Sequence, residues 1–319
     1  MERYLSYSRS LKEKYGQKVY KIPIQIPCSC PNRDGNLGKG GCIYCGEDAV
    51  GYENLPVSMS PKEQFLQNSQ YIRNKYKAEK FIPYFQNYTN TYLPISLFKE
   101  YVEQVCLENV LEIAIATRPD CINEEYLDFL MSVRIKYNIN ITIEYGLQTP
   151  NYHTLKKINR GHTLAEFIDG VNMLKKYSFQ ICAHIILNLP WDDHIDAIEC
   201  AKILSALHID SVKSHALYIE KNTPMGEMYL KNEIRMITLD EYVQRVILFL
   251  EYLDPGISIQ RLIGRAPKDN TVFVNWNRSW WVIKDMIENK MEELDTYQGK
   301  RFNYLGGKAL RMCEQFKRQ

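Results

Sequence analysis

Short β-branched apolar runs alternate along this chain with longer stretches in which apolar positions recur every three or four residues. The short runs predict strands at 21–26, 80–86, 112–117, 140–147, 180–189, 211–219 and 256–262. The longer ones predict helices at 62–77, 95–108, 124–136, 164–177, 195–207 and 239–252. Ser60-Pro61-Lys62-Glu63 reads as a helix start, with serine as cap, proline at the first position and glutamate at the third. Strands separated by helical stretches of about 10 to 15 residues imply right-handed crossovers and a parallel sheet. Six such units and one further strand predict an α/β fold, a partial (βα)6 TIM-like barrel, better than a doubly wound sheet. The barrel is expected over 1–254, including a basic N-terminal segment, with a short C-terminal α/β extension over 255–319.

Polar residues gather where such strands end, the place where barrels of this kind build their sites. Gln86-Asn87-Tyr88-Thr89-Asn90-Thr91 follows the second strand, Thr117-Arg118-Pro119-Asp120 the third and Gly146-Leu147-Gln148-Thr149 the fourth. Asn188-Leu189-Pro190-Trp191 follows the fifth, and Lys213 and His215 lie two apart on the sixth. Glu144 interrupts an apolar strand, which is costly unless the acid is paired or liganded.

The loop after the first strand carries Cys30-Pro31-Asn32-Arg33-Asp34-Gly35 and Gly40-Gly41-Cys42-Ile43-Tyr44-Cys45. Three thiolates there can hold three irons of a [4Fe–4S] cluster and leave the fourth iron open for a ligand. Structural clusters and structural zinc sites take four protein ligands, so a missing one marks chemistry. Cys28 keeps a rival open, because Cys-x-Cys with Cys-x-x-Cys also spells a closed zinc knuckle. A knuckle needs only a small loop, however, and the surrounding strand ends favour the cluster.

Composition adds limits. With 319 residues, 45% hydrophobic, 24% charged and a net charge of +2, the chain can bury a sizeable core and is no polyelectrolyte. No apolar run approaches the ~18 residues of a membrane span. Met1-Glu2-Arg3-Tyr4-Leu5 lacks the apolar core of a secretory signal, so a cytoplasmic location is expected. Cys106, Cys121, Cys182, Cys200 and Cys313 lack ligand spacing and are expected to be small buried residues. Basic residues gather at both ends, with Arg3, Arg9, Lys12, Lys14, Lys18 and Lys21 at one and Lys300, Arg301, Lys308, Arg311, Lys317 and Arg318 at the other. Such patches could track an RNA backbone.

The motifs taken together resemble the YhcC/YtqA family of radical S-adenosylmethionine (SAM) proteins over essentially the whole chain. They are Lys18-Val19-Tyr20-Lys21, the cysteine loop, Tyr84-Phe85-Gln86-x-Tyr88-Thr89-Asn90-Thr91-Tyr92 and Ala116-Thr117-Arg118-Pro119-Asp120. Glu144-Tyr145-Gly146-Leu147-Gln148-Thr149, Ile158-Asn159-Arg160-Gly161-His162 and His215-x-Leu217-Tyr218 follow, then Gln260-Arg261-Leu262 and Tyr297-Gln298-Gly299-Lys300-Arg301. A more distant likeness is to the catalytic subunit of the elongator complex, which modifies the wobble uridine of tRNA. Cys28-Ser29, Asn188-Leu189-Pro190-Trp191 and Gly264-Arg265-Ala266-Pro267 depart from the family pattern.

The resemblance implies a radical SAM barrel whose Cys30, Cys42 and Cys45 hold a [4Fe–4S] cluster. The open iron takes the amino and carboxylate groups of SAM, and SAM is cleaved to a 5′-deoxyadenosyl radical. Tyr44 is expected near the adenine, with Asn87, Thr89 and Asn90 where relatives grip the SAM amino group. Glu144 and Gln148 are placed by SAM, Glu144 on its ammonium or ribose, with a Glu144–Arg160 ion pair as the rival. Arg160 suits the carboxylate and Asn188 the adenine. Lys213, His215 and Arg261 are expected to be the catalytic residues that face substrate. The resemblance implies tRNA as partner, with an electron donor such as flavodoxin or ferredoxin. In the YtqA branch it implies conversion of carboxymethylaminomethyluridine to aminomethyluridine, with Lys213, Arg261 or Arg265 receiving the carboxylate. Radical chemistry on a small metabolite or peptide, and a non-catalytic zinc-stabilised nucleic-acid-binding protein, are the alternatives.

Overall fold

The computed structural model describes residues 2–46, 54–265 and 270–311. Its first half runs α1 (Tyr7–Tyr15), β1 (Val19–Ile24), α2 (Pro61–Tyr76), β2 (Lys80–Phe85), α3 (Ile95–Glu103), β3 (Glu112–Thr117), α4 (Glu124–Tyr137) and β4 (Asn140–Gln148). Its second half runs α5 (Tyr152–Lys157), α6 (Leu164–Lys176), β5 (Gln180–Ile186), α7 (His194–Ala206), β6 (Ser211–His215), β7 (Ile219–Glu220), α8 (Pro224–Leu230), α9 (Leu239–Tyr252), β8 (Ser258–Arg261), β9 (Thr271–Phe273) and α10 (Trp280–Glu293). Seven strands pair in parallel in the order β1-β2-β3-β4-β5-β6-β8 and curl into a half-barrel, as the alternation predicts. The sheet draws on chain beyond residue 254, since β8 pairs with β6.

Local chemistry explains the element ends. Ser60 and Glu63 form the expected capping box, with Pro61 in the first turn of α2. Pro83 has no N–H, and the β2–β3 ladder begins only at Tyr84. Strand 5 stops at Ile186 rather than 189, and strand 6 at His215 rather than 219. There the Asn188 amide leaves the ladder to bond both backbone groups of Leu217, accepting at 2.7 Å and donating at 3.1 Å. Ile219 and Glu220 then pair antiparallel with β9 instead.

The outer face of the sheet and the helices bury Phe65, Phe81, Phe98, Phe167 and Phe249 with Leu127, Leu130, Leu174 and Leu204. Cys182 and Cys200 are buried as expected, Cys106 and Cys121 are half-buried, and Cys313 lies outside the described residues. α1 packs against both β1 and β8 at the floor, the N-terminal ends of the strands. Ile259 N–H donates to Leu5 O at 2.8 Å beside it.

Several of the basic residues at the two ends are paired. Arg3 pairs with Asp295, Arg9 with Glu13, Lys14 with Glu112, Lys21 with Glu144 and Arg301 with Glu251, while Lys317 and Arg318 lie outside the described residues. The Tyr297-Gln298-Gly299-Lys300-Arg301 motif is a clamp. Gln298, only 4% exposed, accepts from Leu5 N–H and donates to Asp254 O and Ile257 O at 2.9, 2.7 and 2.8 Å. It ties the chain's two ends to the start of β8.

Candidate active site

The cysteine loop between β1 and α2 is shaped by its own backbone. Arg33 N–H donates to Cys30 O, Gly41 N–H to Asn32 O and Cys45 N–H to Cys42 O, at 2.8, 2.8 and 2.9 Å. Residues 158–162, beyond α5, dock on it. Ile43 N–H reaches Ile158 O at 3.0 Å, Asn159 Nδ2 reaches Gly41 O at 2.8 Å, and Asn32 Nδ2 reaches Asn159 O at 2.5 Å. Gly161 has φ of +76°, and a Cβ there would meet Asn32 Oδ1 at 2.7 Å, so only glycine lets the two segments close. Arg118 donates to Arg160 O at 2.9 Å and forks onto Asp120. Two of the family motifs therefore exist to hold the loop.

Within it, the Cys42 sulfur receives Arg160 Nη1 at 3.7 Å and Asn32 Nδ2 at 3.9 Å. Burial, then the neighbouring Cys42, pushes the Cys45 thiol up to about 11, against the pull of Arg33 and Arg160. Cys28 turns elsewhere. Its sulfur lies 3.6 Å from Asn87 O and 3.8 Å from Asn90 Oδ1, packs on the core, and is pushed up to about 12 by burial. A zinc knuckle needs Zn–S bonds of about 2.3 Å and therefore sulfurs about 3.8 Å apart. Among the described residues, Cys28, Cys30, Cys42 and Cys45 form no group of three within 4.8 Å. The loop does not have the spacing of a closed zinc site.

Cys30, Cys42 and Cys45 line one end of a cavity of about 650 Å³ at the mouth of the half-barrel. Tyr44, Asn87, Thr89, Gln148 and Arg160 line it too. A bulge between Gly146 and Gln148 turns Gln148 to the mouth. A Cβ at Gly146 would meet Arg160 Nη2 at 2.5 Å and Gln148 Nε2 at 2.6 Å, so a side chain there would displace both cavity-lining groups. Asn90 and Asn188 do not line the cavity. Both are fully buried, Asn90 on the carbonyls of Phe85, Asn87 and Ala116, and Asn188 on Leu217. They shape strand ends rather than contact a ligand. Asn87 Nδ2 and Arg160 Nε are buried donors with no partner. Three thiols in one cavity with two unpartnered donors beside them form a set that fits an iron–sulfur cluster carrying a carboxylate ligand.

The other end of the cavity is built on strands. Glu144 is fully buried and makes no pair with Arg160, whose Nη2 donates to Gly146 O at 2.9 Å. Instead Glu144 receives Lys21, His184 Nε2 at 2.7 Å, Gln260 Nε2 at 3.0 Å and Lys213 at 3.4 Å. Burial pushes its carboxyl up, yet Lys21, Lys213 and the His184 hydrogen bond prevail and hold it well below the usual range. Lys213 also donates to Tyr84 OH at 2.8 Å, and burial lowers its ammonium to about 8. Arg261 Nη2 lies 2.5 Å from His215 Nδ1, and the rings of His184 and His215 are 5.0 Å apart. Burial, then Arg261, holds His215 well below its ordinary value. Lys213, His215 and Arg261 are thus brought together, facing the cavity.

Sequence reasoning missed Tyr84, His184 and Gln260 here and counted Lys21 as a terminal charge. Polar Gln180, Cys182 and His184 alternate with apolar Ile181, Ala183 and Ile185, a period-2 signal that the inner face of β5 is polar.

Known proteins bear on this arrangement. A family model described as the Radical SAM superfamily matches residues 30–202, and one described as the Radical_SAM C-terminal domain matches 209–293. The chain is 34% identical over 307 residues to YtqA of Bacillus subtilis (strain 168), covering 95% of this chain and 94% of that protein. It is 27% identical over 292 residues to YhcC of Escherichia coli (strain K12), covering 91% of each. Among solved structures it resembles the archaeal Methanocaldococcus infernus Elp3 lacking its N-terminal residues 1–46. The TM-score is 0.67 at 14% identity, over 88% of this chain and 64% of that one, a likeness of fold.

Proposed function

Because the chain belongs to the Radical SAM superfamily, in one family with YtqA and YhcC, we propose that it modifies the wobble uridine of tRNA, converting a carboxymethylaminomethyl side chain to aminomethyl. Its cofactors are those of the family, a [4Fe–4S] cluster and SAM. When bound, they would supply a 5′-deoxyadenosyl radical that takes a hydrogen atom from the methylene beside the side chain's carboxylate; return of one electron to the cluster and addition of water would then release the two carbons as glyoxylate and leave the aminomethyl amine. Cys30, Cys42 and Cys45 would hold the irons. Tyr44, Asn87, Thr89, Gln148 and Arg160 would hold SAM, with Asn87 Nδ2 and Arg160 Nε as donors still to be satisfied.

The observation that carries the reading is a single cavity joining three cysteines at one end to strand-borne cations at the other. A group held at the second end would thereby share one cavity with a cofactor held at the first. The likeness to the elongator catalytic subunit supports an RNA substrate, and flavodoxin or ferredoxin would serve as electron donor. Among the described residues no helix is long and apolar enough to cross a membrane.

Anaerobically reconstituted protein, given SAM, a one-electron reductant and tRNA bearing carboxymethylaminomethyluridine, should yield aminomethyluridine by nucleoside mass spectrometry. Recovery of the nucleoside unchanged while SAM is cleaved would sink the tRNA reading. Cys30→Ala, Cys42→Ala and Cys45→Ala should each lose cluster absorbance and SAM cleavage, whereas Cys28→Ala should keep both.

A further inference from the structure

We infer that Lys213 is a covalent catalyst, whose amine displaces the tRNA amine from the oxidised side chain and carries the two-carbon unit to water as a Schiff base. That role rests on the wobble-uridine reading, but the reactivity of the amine toward an aldehyde does not. Lys213 stands on β6, 9% exposed, in the wall of the cavity that the three cysteines also line. Two lysines reach Glu144, and they are not equal. Lys21 is the close partner, whereas Lys213 stands 3.4 Å away, long for a charge-assisted hydrogen bond. The shortest bond of Lys213 goes to a neutral group, the Tyr84 hydroxyl at 2.8 Å. Glu144 therefore has its counter-charge in Lys21, and Lys213 can give up a proton without leaving the acid unpaired.

The surroundings favour the free amine. Burial, with Arg261 and Lys21 pushing the same way and Glu144 opposing, lowers the ammonium to about 8. His184 and His215 beside it are held below their ordinary values by burial and add no positive charge near neutral pH. About a tenth of Lys213 is then free amine at neutral pH, against roughly one part in a few thousand for an ordinary lysine. A free amine has two N–H groups and one lone pair. Its N–H groups have acceptors in Tyr84 and Glu144, which leaves the lone pair for the cavity. The oxidised side chain is an imine of glyoxylate on the tRNA amine. Attack by Lys213 forms a new C–N bond at the imine carbon, and the old C–N bond breaks. The tRNA nitrogen takes the proton that the Lys213 nitrogen loses, and Tyr84 OH is placed to pass it across. Water then adds to the imine on Lys213, and its cleavage returns the amine and releases glyoxylate. Neither step draws on an oxidant.

The test gives anaerobically reconstituted protein glyoxylate and cyanoborohydride, with no tRNA, and reads modification by peptide mass spectrometry. Reduction fixes a Schiff base as a carboxymethylated lysine. Lys213 should be converted about tenfold faster than Lys231, whose side chain is 63% exposed. Tyr84→Phe should slow conversion of Lys213 several-fold and leave Lys231 alone. Conversion of Lys213 no faster than that of Lys231 overturns the inference. The second arm is turnover with SAM, a one-electron reductant and tRNA bearing carboxymethylaminomethyluridine. Cyanoborohydride added during turnover should leave Lys213 carboxymethylated without any added glyoxylate. Lys213→Arg keeps the charge, and should cleave SAM yet form aminomethyluridine at least about tenfold more slowly. Formation at the wild-type rate by Lys213→Arg overturns the inference while the tRNA reading stands. Fast trapping of added glyoxylate at Lys213, with tRNA left unconverted, upholds Lys213 as a Schiff-base residue for another carbonyl or imine substrate while the tRNA reading falls.

Discussion

Glu112 and Glu144 sit on neighbouring strands, both buried inside the half-barrel and each reached by a lysine from the first 21 residues. Their surroundings differ in one respect. Glu112, at the floor, is met by Lys14 at 3.0 Å and by the hydroxyls of Tyr15 and Thr142 at 2.8 and 2.7 Å. Lys14 answers Glu112, neutral donors complete the acceptor, and Asp210 beside them adds a second acid rather than a second cation. Glu144, in the wall of the cavity, is met by two lysines and a histidine, with Arg261 nearby. The floor is a closed ion pair that fastens α1 under the barrel. The inner end instead gathers two lysines on one acid in the wall of the cavity. An acid buried in a strand therefore marks a site by the cations gathered on it, not by burial alone.

Removing each acid is the strongest way to break this comparison. Glu144→Gln leaves the buried Lys213 and the half-buried Lys21 without that counter-charge and should cost about 3–5 kcal/mol of stability. Glu112→Gln should cost less, about 1–3 kcal/mol, because the Lys14 side chain is 31% exposed and can turn to water. Urea denaturation at neutral pH compares them, and equal losses would erase the distinction.

Acid sharpens it. Burial, then the Lys213 charge, pushes His184 down to about 4, and burial, then Arg160, pushes His162 down to about 2. Below about pH 6.5 the unfolded chain protonates both, while the folded chain does not until those lower values. The unfolded state thus binds more protons between pH 6.5 and 4, and stability falls on acidification. Each histidine contributes up to about 1.4 kcal/mol per pH unit. His184→Gln removes one of them, so its stability should fall less steeply than the wild type's in that window.

The Gln298 clamp offers a floor perturbation with no charge at all. Gln298→Ala breaks three hydrogen bonds to backbone and should cost about 2–3 kcal/mol. Thermal unfolding would register it, while the trapping of glyoxylate at Lys213 should stay unchanged.

These contrasts also mark what the chain reveals by pattern alone. The sheet was legible because β-branched runs separated by amphipathic helices admit few topologies, and the observed strand starts lie within a few residues of those expected. α1 was not read, although Tyr7, Leu11 and Tyr15 recur every four residues and pack together under the barrel, because the stripe is only three residues long and two of them are tyrosines. Cys30, Cys42 and Cys45 were legible because ligand spacing is local. Glu144 stood out as an acid in an apolar run and Lys213 as a strand-borne cation, but Lys21, His184 and Gln260, on β1, β5 and β8, each look ordinary alone. Asn90 and Asn188 misled because spacing places a residue at a strand end without saying whether its amide faces ligand or backbone.

The smallest effects separate the two lysines. Lys14→Met leaves Glu112 with two hydroxyl donors, and Lys21→Met leaves Glu144 with Lys213, His184 and Gln260. Each acid keeps partners, so each variant should lose only about 1 kcal/mol. Their consequences for the cavity diverge, because Lys21 shares Glu144 with Lys213 and Lys14 does not. Lys21→Met leaves Lys213 as the one lysine on Glu144, keeps it protonated, and should slow glyoxylate trapping there several-fold, and Lys14→Met should leave it alone. If Lys14→Met slows it as far, the floor and the inner end share one electrostatic unit, and the contrast between Glu112 and Glu144 is lost.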